Sequence, residues 1–131
     1  MSDELISIRA MCDIFDVTPR TLRFYEQKEL LFPVREGQRR LFSRRDRARL
    51  KLILRGKRFG VSLEEIRQIL DLYDMDGQKD LQLARSLEIA KRRLTEMHQQ
   101  REELDRAIDE LSAQITVGEE MMTTRGQTAA A

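Results

Sequence analysis

Thr18-Pro19-Arg20-Thr21-Leu22-Arg23-Phe24-Tyr25-Glu26 is the stretch that decides the fold. The Thr18 hydroxyl can satisfy one of the orphan backbone donors that open a helix, and Pro19 lacks the N–H that the first helical position leaves unpaired, so a helix is predicted to start at this pair. Upstream, Ile8, Met11, Cys12 and Phe15 fall at i, i+3, i+4 and i+7, the apolar stripe of an amphipathic helix. Two short helices therefore meet through a tight turn at Asp16-Val17. The second is expected to bury Leu22 and to turn Arg20, Thr21 and Arg23 outward, as a helix-turn-helix presents a recognition helix to the major groove of DNA. Tyr25 is assigned to its buried face and also, with Thr18, Arg20, Thr21 and Arg23, to the candidate DNA contacts.

Beyond this helix, Leu30-Leu31-Phe32-Pro33-Val34 reads as an apolar edge strand and Arg40-Leu41-Phe42 as its partner, with residues 35–39 turning between them. The result is a hairpin wing with a basic tip, in which Arg35, Arg39 and Arg40 are candidate DNA contacts. Ser43 can cap a third helix that is predicted to run to about Lys57 with Leu50, Ile53 and Leu54 inward. From Arg35 to Arg58 eleven basic residues face only Glu36 and Asp46. Arg44, Arg47, Lys51, Arg55 and Arg58 form one stripe on this helix without acidic partners at i+4, so Ser43, Lys57 and Arg58 join the candidate contacts at phosphate. Residues 56–60 are predicted to be a loop between two glycines. Ser62 with Glu65 then makes a capping box, stapled by Val61 against Ile66, and Leu63, Ile66, Leu70 and Tyr73 line one face of a fourth helix. The charge is divided: residues 1–60 carry 15 Lys/Arg against 8 Asp/Glu, whereas residues 61–131 carry 9 against 15. One end of the chain is suited to polyphosphate and the other is not.

From residue 80 to about 117 the chain reads as one long helix. Leu83, Leu87, Ala90, Leu94, Met97, Arg101, Leu104, Ile108, Leu111 and Ile115 alternate gaps of four and three, the spacing of a coiled-coil seam. A lone helix would leave that seam in water, and a second copy of the same chain is the simplest cover. Run antiparallel with Leu94 opposite Leu104, the seam sets Leu87 against Leu111, Ala90 against Ile108, and Lys91 near Asp105 of the partner. Only Met97 with Arg101 lacks an apolar mate. Residues 118–131 have no periodicity and are expected to be a disordered tail. The predicted organisation is mainly α: a winged helix-turn-helix head over residues 1–76, a dimerisation helix forming an antiparallel coiled coil over 80–117, and the tail.

At several motifs the sequence resembles the MerR family of bacterial transcription regulators. The family pattern Ile-x-x-x-Ala-x-x-x-Gly-Val-[Ser/Thr]-x-x-[Thr/Ala]-[Leu/Ile]-Arg-[Tyr/Phe]-Tyr-Glu followed by Gly-Leu is met by Ile8, Val17, Thr18, Thr21, Leu22, Arg23, Phe24, Tyr25, Glu26 and Leu30. Arg40-Leu41-Phe42-Ser43 resembles the family wing, and Gly60-Val61-Ser62-Leu63-Glu64-Glu65-Ile66 resembles Gly-Phe-[Ser/Thr]-Leu-x-Glu-Ile. Cys12, Asp16 and Glu29 depart from the pattern, standing for an alanine and two glycines. The resemblance implies antiparallel pairing of the long helix, a palindromic promoter element, and bending and untwisting of that DNA so that RNA polymerase engages both promoter boxes. The runs Arg44 to Gly56 and Leu70 to Asp74 resemble small members that control branched-chain amino acid or fatty acid breakdown. With no room for a separate ligand domain, an effector would lodge at the junction of head and long helix, where Tyr73, Met75 and Leu81 supply apolar walls and Lys79 or Arg85 an anion contact.

Other classes find little support. There is one His, one Cys and no glycine-rich phosphate loop, so neither a catalytic centre nor a cofactor is expected. Cys12 lies on an apolar helix face and reads as an inert core thiol; His98 has no second His or Cys to share a metal. Asp74-Met75-Asp76-Gly77 hints at a calcium loop, but Arg85 stands where the bidentate glutamate belongs, so a linker is expected. No apolar run is long enough for a bilayer and the first residues lack a signal sequence, so a cytoplasmic protein without membrane partners is expected. A competing reading is a coiled-coil interaction module whose basic head binds nucleic acid non-specifically. The separate basic wing beside Arg20, Thr21 and Arg23 argues against it, since charge alone would not need that arrangement.

Overall fold

The computed structural model describes residues 4–73, 77 and 79–130. In chain order the elements are β1 (Ile6–Ser7), α1 (Ile8–Phe15), α2 (Pro19–Gln27), β2 (Val34–Glu36), β3 (Arg39–Phe42), α3 (Arg44–Arg58), α4 (Leu63–Tyr73) and α5 (Lys79–Ala130). The chain forms two compact units, Met1–Ala90 and Lys91–Ala131.

In the first unit, local chemistry places the starts of α1, α2, α3 and α4. The hydroxyls of Ser7, Thr18, Ser43 and Ser62 accept hydrogen bonds from the N–H groups of Ala10, Thr21, Asp46 and Glu65, each at 3.1 Å. Three helix ends share one closure, in which a residue with positive φ reverses the chain and the next N–H reaches back five residues. Val17 N–H donates to Cys12, Leu30 to Tyr25 and Val61 to Gly56. The reversing residues are Asp16, Glu29 and Gly60, with φ of 53°, 60° and 77°. Asp16 and Glu29 are the two positions where the resembling family has glycine, so the departure changes the side chain and keeps the backbone geometry.

Met11, Leu22, Tyr25, Leu30, Leu31, Phe42, Leu50, Ile53, Ile66 and Leu70 form the core of this unit. Leu30 and Leu31 belong to it as irregular chain. Their N–H groups bond to the Tyr25 carbonyl, the Phe32 N–H donates to Asp46 Oδ1 at 3.1 Å, and Pro33 has no N–H, so no strand can form before Val34. The edge strand expected from Leu30 thus shrinks to β2. The sheet gains a third strand in return: β1 pairs antiparallel with β3, Ile6 opposite Phe42 and Ser7 opposite Leu41, giving the order β1-β3-β2.

The loop expected between Gly56 and Gly60 is mostly helix, because α3 continues to Arg58. Gly56 is the point of closest approach to α4; a Cβ there would lie 2.8 Å from Cδ1 and Cγ1 of Ile66. The first turns of α5 also belong to this unit. Arg85 donates to Gln68 Oε1 from Nε and Nη2 at 3.2 and 2.8 Å, Gln82 Nε2 donates to the Ile69 carbonyl at 3.4 Å, and Ile89 is buried.

The second unit is the remainder of α5. Its seam side chains lie open, with Leu94 55%, Leu104 61% and Leu111 63% exposed. Residues 118–130, expected to be disordered, are helical. Glu119, Glu120, Met121, Met122 and Gln127 are good helix formers, and no proline interrupts the stretch. No helix among the described residues is long and apolar enough to cross a membrane.

Candidate nucleic-acid interface

α2 is braced at both ends, which fixes what its exposed face can present. At its start Thr18 Oγ1 accepts from the Thr21 N–H and lies 2.9 Å from Thr21 Oγ1. At its end the Arg67 guanidinium of α4 donates to the carbonyls of Lys28 and Glu29, at 3.5 Å for the latter, satisfying acceptors that the helix leaves over. Arg49, buried in α3, donates through Nε to the Leu30 carbonyl at 2.8 Å and lies over the Phe32 ring. Neither the Arg67 nor the Arg49 contacts were legible from local pattern.

The exposed face carries Arg20, Arg23 and Phe24, with Thr21 half-buried. Tyr25 is 2% exposed. It therefore belongs to the core, as at 3.6 residues per turn Tyr25 follows Leu22 inward, and of the candidate contacts on α2 it is the one that is buried, reaching the surface only at the recess beside Arg20. The aromatic ring on the outside is Phe24, 42% exposed, edge-on to Tyr25 at 5.6 Å and with Lys28 Nζ 5.6 Å from its centroid. Arg20, Thr21, Phe24 and the edge of Tyr25 line a shallow depression of about 410 Å³ with Lys57, Gly60, Val61 and Leu63. Cationic side chains from α2 and from the end of α3 thus border one recess.

The wing meets the last turn of α2. Arg35 and Arg40 are directly opposed in the β2–β3 ladder. Glu26, in the last turn of α2, reaches both: Oε2 accepts from Arg35 Nη2 at 2.8 Å and Oε1 from Arg40 Nε at 2.6 Å. Partial burial works to raise the Glu26 pKa, but the hydrogen bonds and charges of Arg40 and Arg35 outweigh it and hold the carboxyl below its ordinary range. Arg39, Arg44, Lys51, Arg55, Lys57 and Arg58 are exposed, while Arg47 is half-buried and donates to the Glu4 carbonyl at 3.0 Å. Ser43 is half-buried with its oxygen engaged in capping α3.

Among the residues proposed for an effector, Lys79 and Leu81 are exposed and Arg85 is engaged with Gln68 and, at 3.0 Å, Glu88. Met75 and the Tyr73 side chain lie outside the described residues. The Cys12 thiol is pushed up from its ordinary pKa by burial and by Asp13, with Arg23 opposing, so it stays protonated near neutrality. No group of His, Cys, Asp and Glu among the described residues is placed to hold a metal ion.

The chain matches the family model described as MerR HTH family regulatory protein over residues 6–72, and the one described as MerR, DNA binding over residues 47–114. It is 39% identical over 67 residues to the HTH-type transcriptional regulator ZntR of Escherichia coli (strain K12), covering 50% of this chain and 48% of that one. It is 31% identical over 116 residues to the HTH-type transcriptional activator mta of Bacillus subtilis (strain 168), covering 87% of this chain and 43% of that one. The chain thus spans about half the length of the curated relatives it matches. Among solved structures, HiNmlR, a MerR family regulator lacking the sensor domain and bound to promoter DNA, shares the fold with a TM-score of 0.59 and 22% identity, over 78% of this chain and 80% of that one. Two family models that each match about half of the chain, on a head built from these elements, establish that the chain belongs to the MerR family of helix-turn-helix transcription regulators.

Proposed function

We propose that this chain acts as a homodimeric, sequence-specific transcription regulator that binds and distorts a palindromic promoter element where RNA polymerase engages it. The observation that carries the reading is α2: its ends are fixed by Thr18 and Arg67, and its outer face carries Arg20 and Arg23 beside the recess bordered by Lys57. A braced helix with outward guanidinium groups is suited to reading base edges, since Arg forms bidentate bonds to guanine. Arg39, Lys57 and Arg58, exposed on the wing and at the end of α3, supply phosphate contacts that fix register without reading sequence.

Dimerisation rests on α5. The open seam from Leu83 to Ile115 needs an apolar partner, and the antiparallel arrangement with Leu94 opposite Leu104 supplies one at each layer but that of Met97 and Arg101. Two heads held at a fixed separation would read two half-sites, and DNA whose half-sites do not fit that separation must deform to be bound. That ZntR and mta are transcriptional regulators, and that HiNmlR is bound to promoter DNA in its own structure, supports the same reading.

The test is selection of duplexes by the wild-type chain from a random pool, followed by titration of the selected duplex and of unrelated DNA at several salt concentrations. A palindromic consensus, bound at least ~10³-fold more tightly than unrelated DNA, is expected. Equal affinity for both, falling with salt alone, would instead favour the non-specific module.

A further inference from the structure

We propose that Glu26 is a positioning residue that sets the wing against the recognition helix, and that it divides the two wing arginines into one anchor, Arg40, and one phosphate contact, Arg35. This rests on the DNA-binding reading above and names how one part of that surface is organised.

Arg35 and Arg40 stand opposite each other in the ladder, a placement at which like charges repel. One carboxylate resolves it. Each Glu26 oxygen takes a separate guanidinium, at 2.8 and 2.6 Å, so the carboxylate bridges β2, β3 and the last turn of α2. A negative charge near a helix C-terminus is itself unfavourable against the macrodipole, so Glu26 gains from its arginines and not from α2. Charge-assisted bonds of this length are the strong kind and fix orientation as well as distance. The two arginines are not equivalent. The Arg40 side chain is 23% exposed and Arg35 52% exposed, so the surplus positive charge of the triad reaches solvent through Arg35. A phosphate approaching the wing meets Arg35, held by Glu26 at a fixed angle to Arg20 and Arg23.

The proposal makes a prediction opposite in sign to charge counting. Replacing Glu26 by Gln removes a negative charge from a DNA-facing surface, so electrostatics alone predicts tighter binding. A positioning role predicts that Glu26→Gln binds the selected duplex about tenfold more weakly, as follows when the competent wing orientation falls to about one tenth of the population, while unrelated DNA is bound at least as well as before. Arg35→Ala should reduce the slope of log affinity against log salt by about 0.9 per head, and Arg40→Gln should reproduce the specificity loss of Glu26→Gln. Amide hydrogen exchange of the free protein reads the same device without DNA: Glu26→Gln and Arg40→Gln should lose protection in β2 and β3 while α1 and α2 keep theirs. Tighter binding of the selected duplex by Glu26→Gln, or unchanged strand protection in both variants, overturns the proposal. If the wild-type chain shows no preference for any duplex, the DNA-binding reading fails on its own, and strand protection still decides whether Glu26 positions the wing.

Discussion

Replacing Gly56 by alanine sets two known effects against each other at one atom. Gly56 is inside α3, where alanine is favoured over glycine by about 0.8 to 1.0 kcal/mol on helix propensity. An exposed glycine at that position would therefore be a simple target for stabilisation. Gly56 faces α4 instead, and the new Cβ would lie 2.8 Å from both Cδ1 and Cγ1 of Ile66, well inside van der Waals contact. Ile66 is 3% exposed and β-branched, so its side chain has little freedom to turn aside. Overpacking of this kind costs about 1 to 3 kcal/mol. The balance is a loss of about 1 kcal/mol, which for a chain of this size lowers Tm by roughly 3 to 5 °C. Ile66→Val removes one of the two crowded atoms, and alone should cost about 0.5 to 1.5 kcal/mol. In the Gly56→Ala background the same change relieves crowding, so its cost should fall by at least about 0.5 kcal/mol. Urea titration of the four proteins of this cycle, followed by circular dichroism, measures that coupling. A rise in stability with Gly56→Ala by the full propensity gain, together with additive double-mutant behaviour, would refute the close approach of α3 and α4.

Glu29→Gly should stabilise the head by about 0.5 to 1 kcal/mol in thermal unfolding, because the left-handed conformation at Glu29 costs an L-residue about 1 to 2 kcal/mol and glycine returns part of that gain in the unfolded chain; a lower Tm would count against the closure described for α2. Asp at both Leu94 and Leu104 should give a monomer in sedimentation with little affinity for the selected duplex, since two linked half-site contacts exceed either alone by orders of magnitude; a dimer that binds normally would sink the seam. Arg20→Ala should cost about 1 to 3 kcal/mol and relax sequence preference at one position per half-site; an equal loss on selected and unrelated DNA would reassign Arg20 to phosphate. Because the Glu26 carboxyl lies below its ordinary pKa of 4.5, its contribution to stability is fully present above that value and is lost as pH falls through the lower folded one. Stability measured below pH 4.5 should accordingly fall more steeply for the wild type than for Glu26→Gln, and parallel curves would exclude a clamp of any energetic weight.

What could be read from the chain was what short segments decide alone. Thr18-Pro19, Ser43 and Ser62 mark helix starts because a cap is satisfied within three residues. The apolar stripes of α1 and α4 were legible for the same reason. Where the deciding contact was distant, the reading failed. Leu30-Leu31 has the composition of a strand, but its backbone donors are taken by Tyr25, and Asp46 holds the adjacent Phe32 N–H. Gly56 looks like a breaker until Ile66 is placed beside it. The Glu26 clamp, the Arg67 cap and the Arg49 bond join residues far apart in the chain, and no spacing rule announces such pairs. On α2 the spacing separates Leu22 and Tyr25 from Arg20 and Arg23, but it does not show that Phe24 is the exposed ring.

β1 is only two residues long, yet it changes how the head must assemble. Ser7 pairs with Leu41 of the wing and at the same time caps α1, so wing and first helix share a residue. The pairing encloses α1, α2 and β2 in one long loop, whose closure entropy is lost once and recovered only when the loop's contents pack. Such non-local pairing slows folding of the head. β2 pairs only with β3 at the sheet's edge, and α1 keeps its Ser7 cap within three residues, so the β2–β3 hairpin can loosen while the helices hold. Assembly of the head is thus late and concerted, whereas the finished wing keeps a local opening of its own.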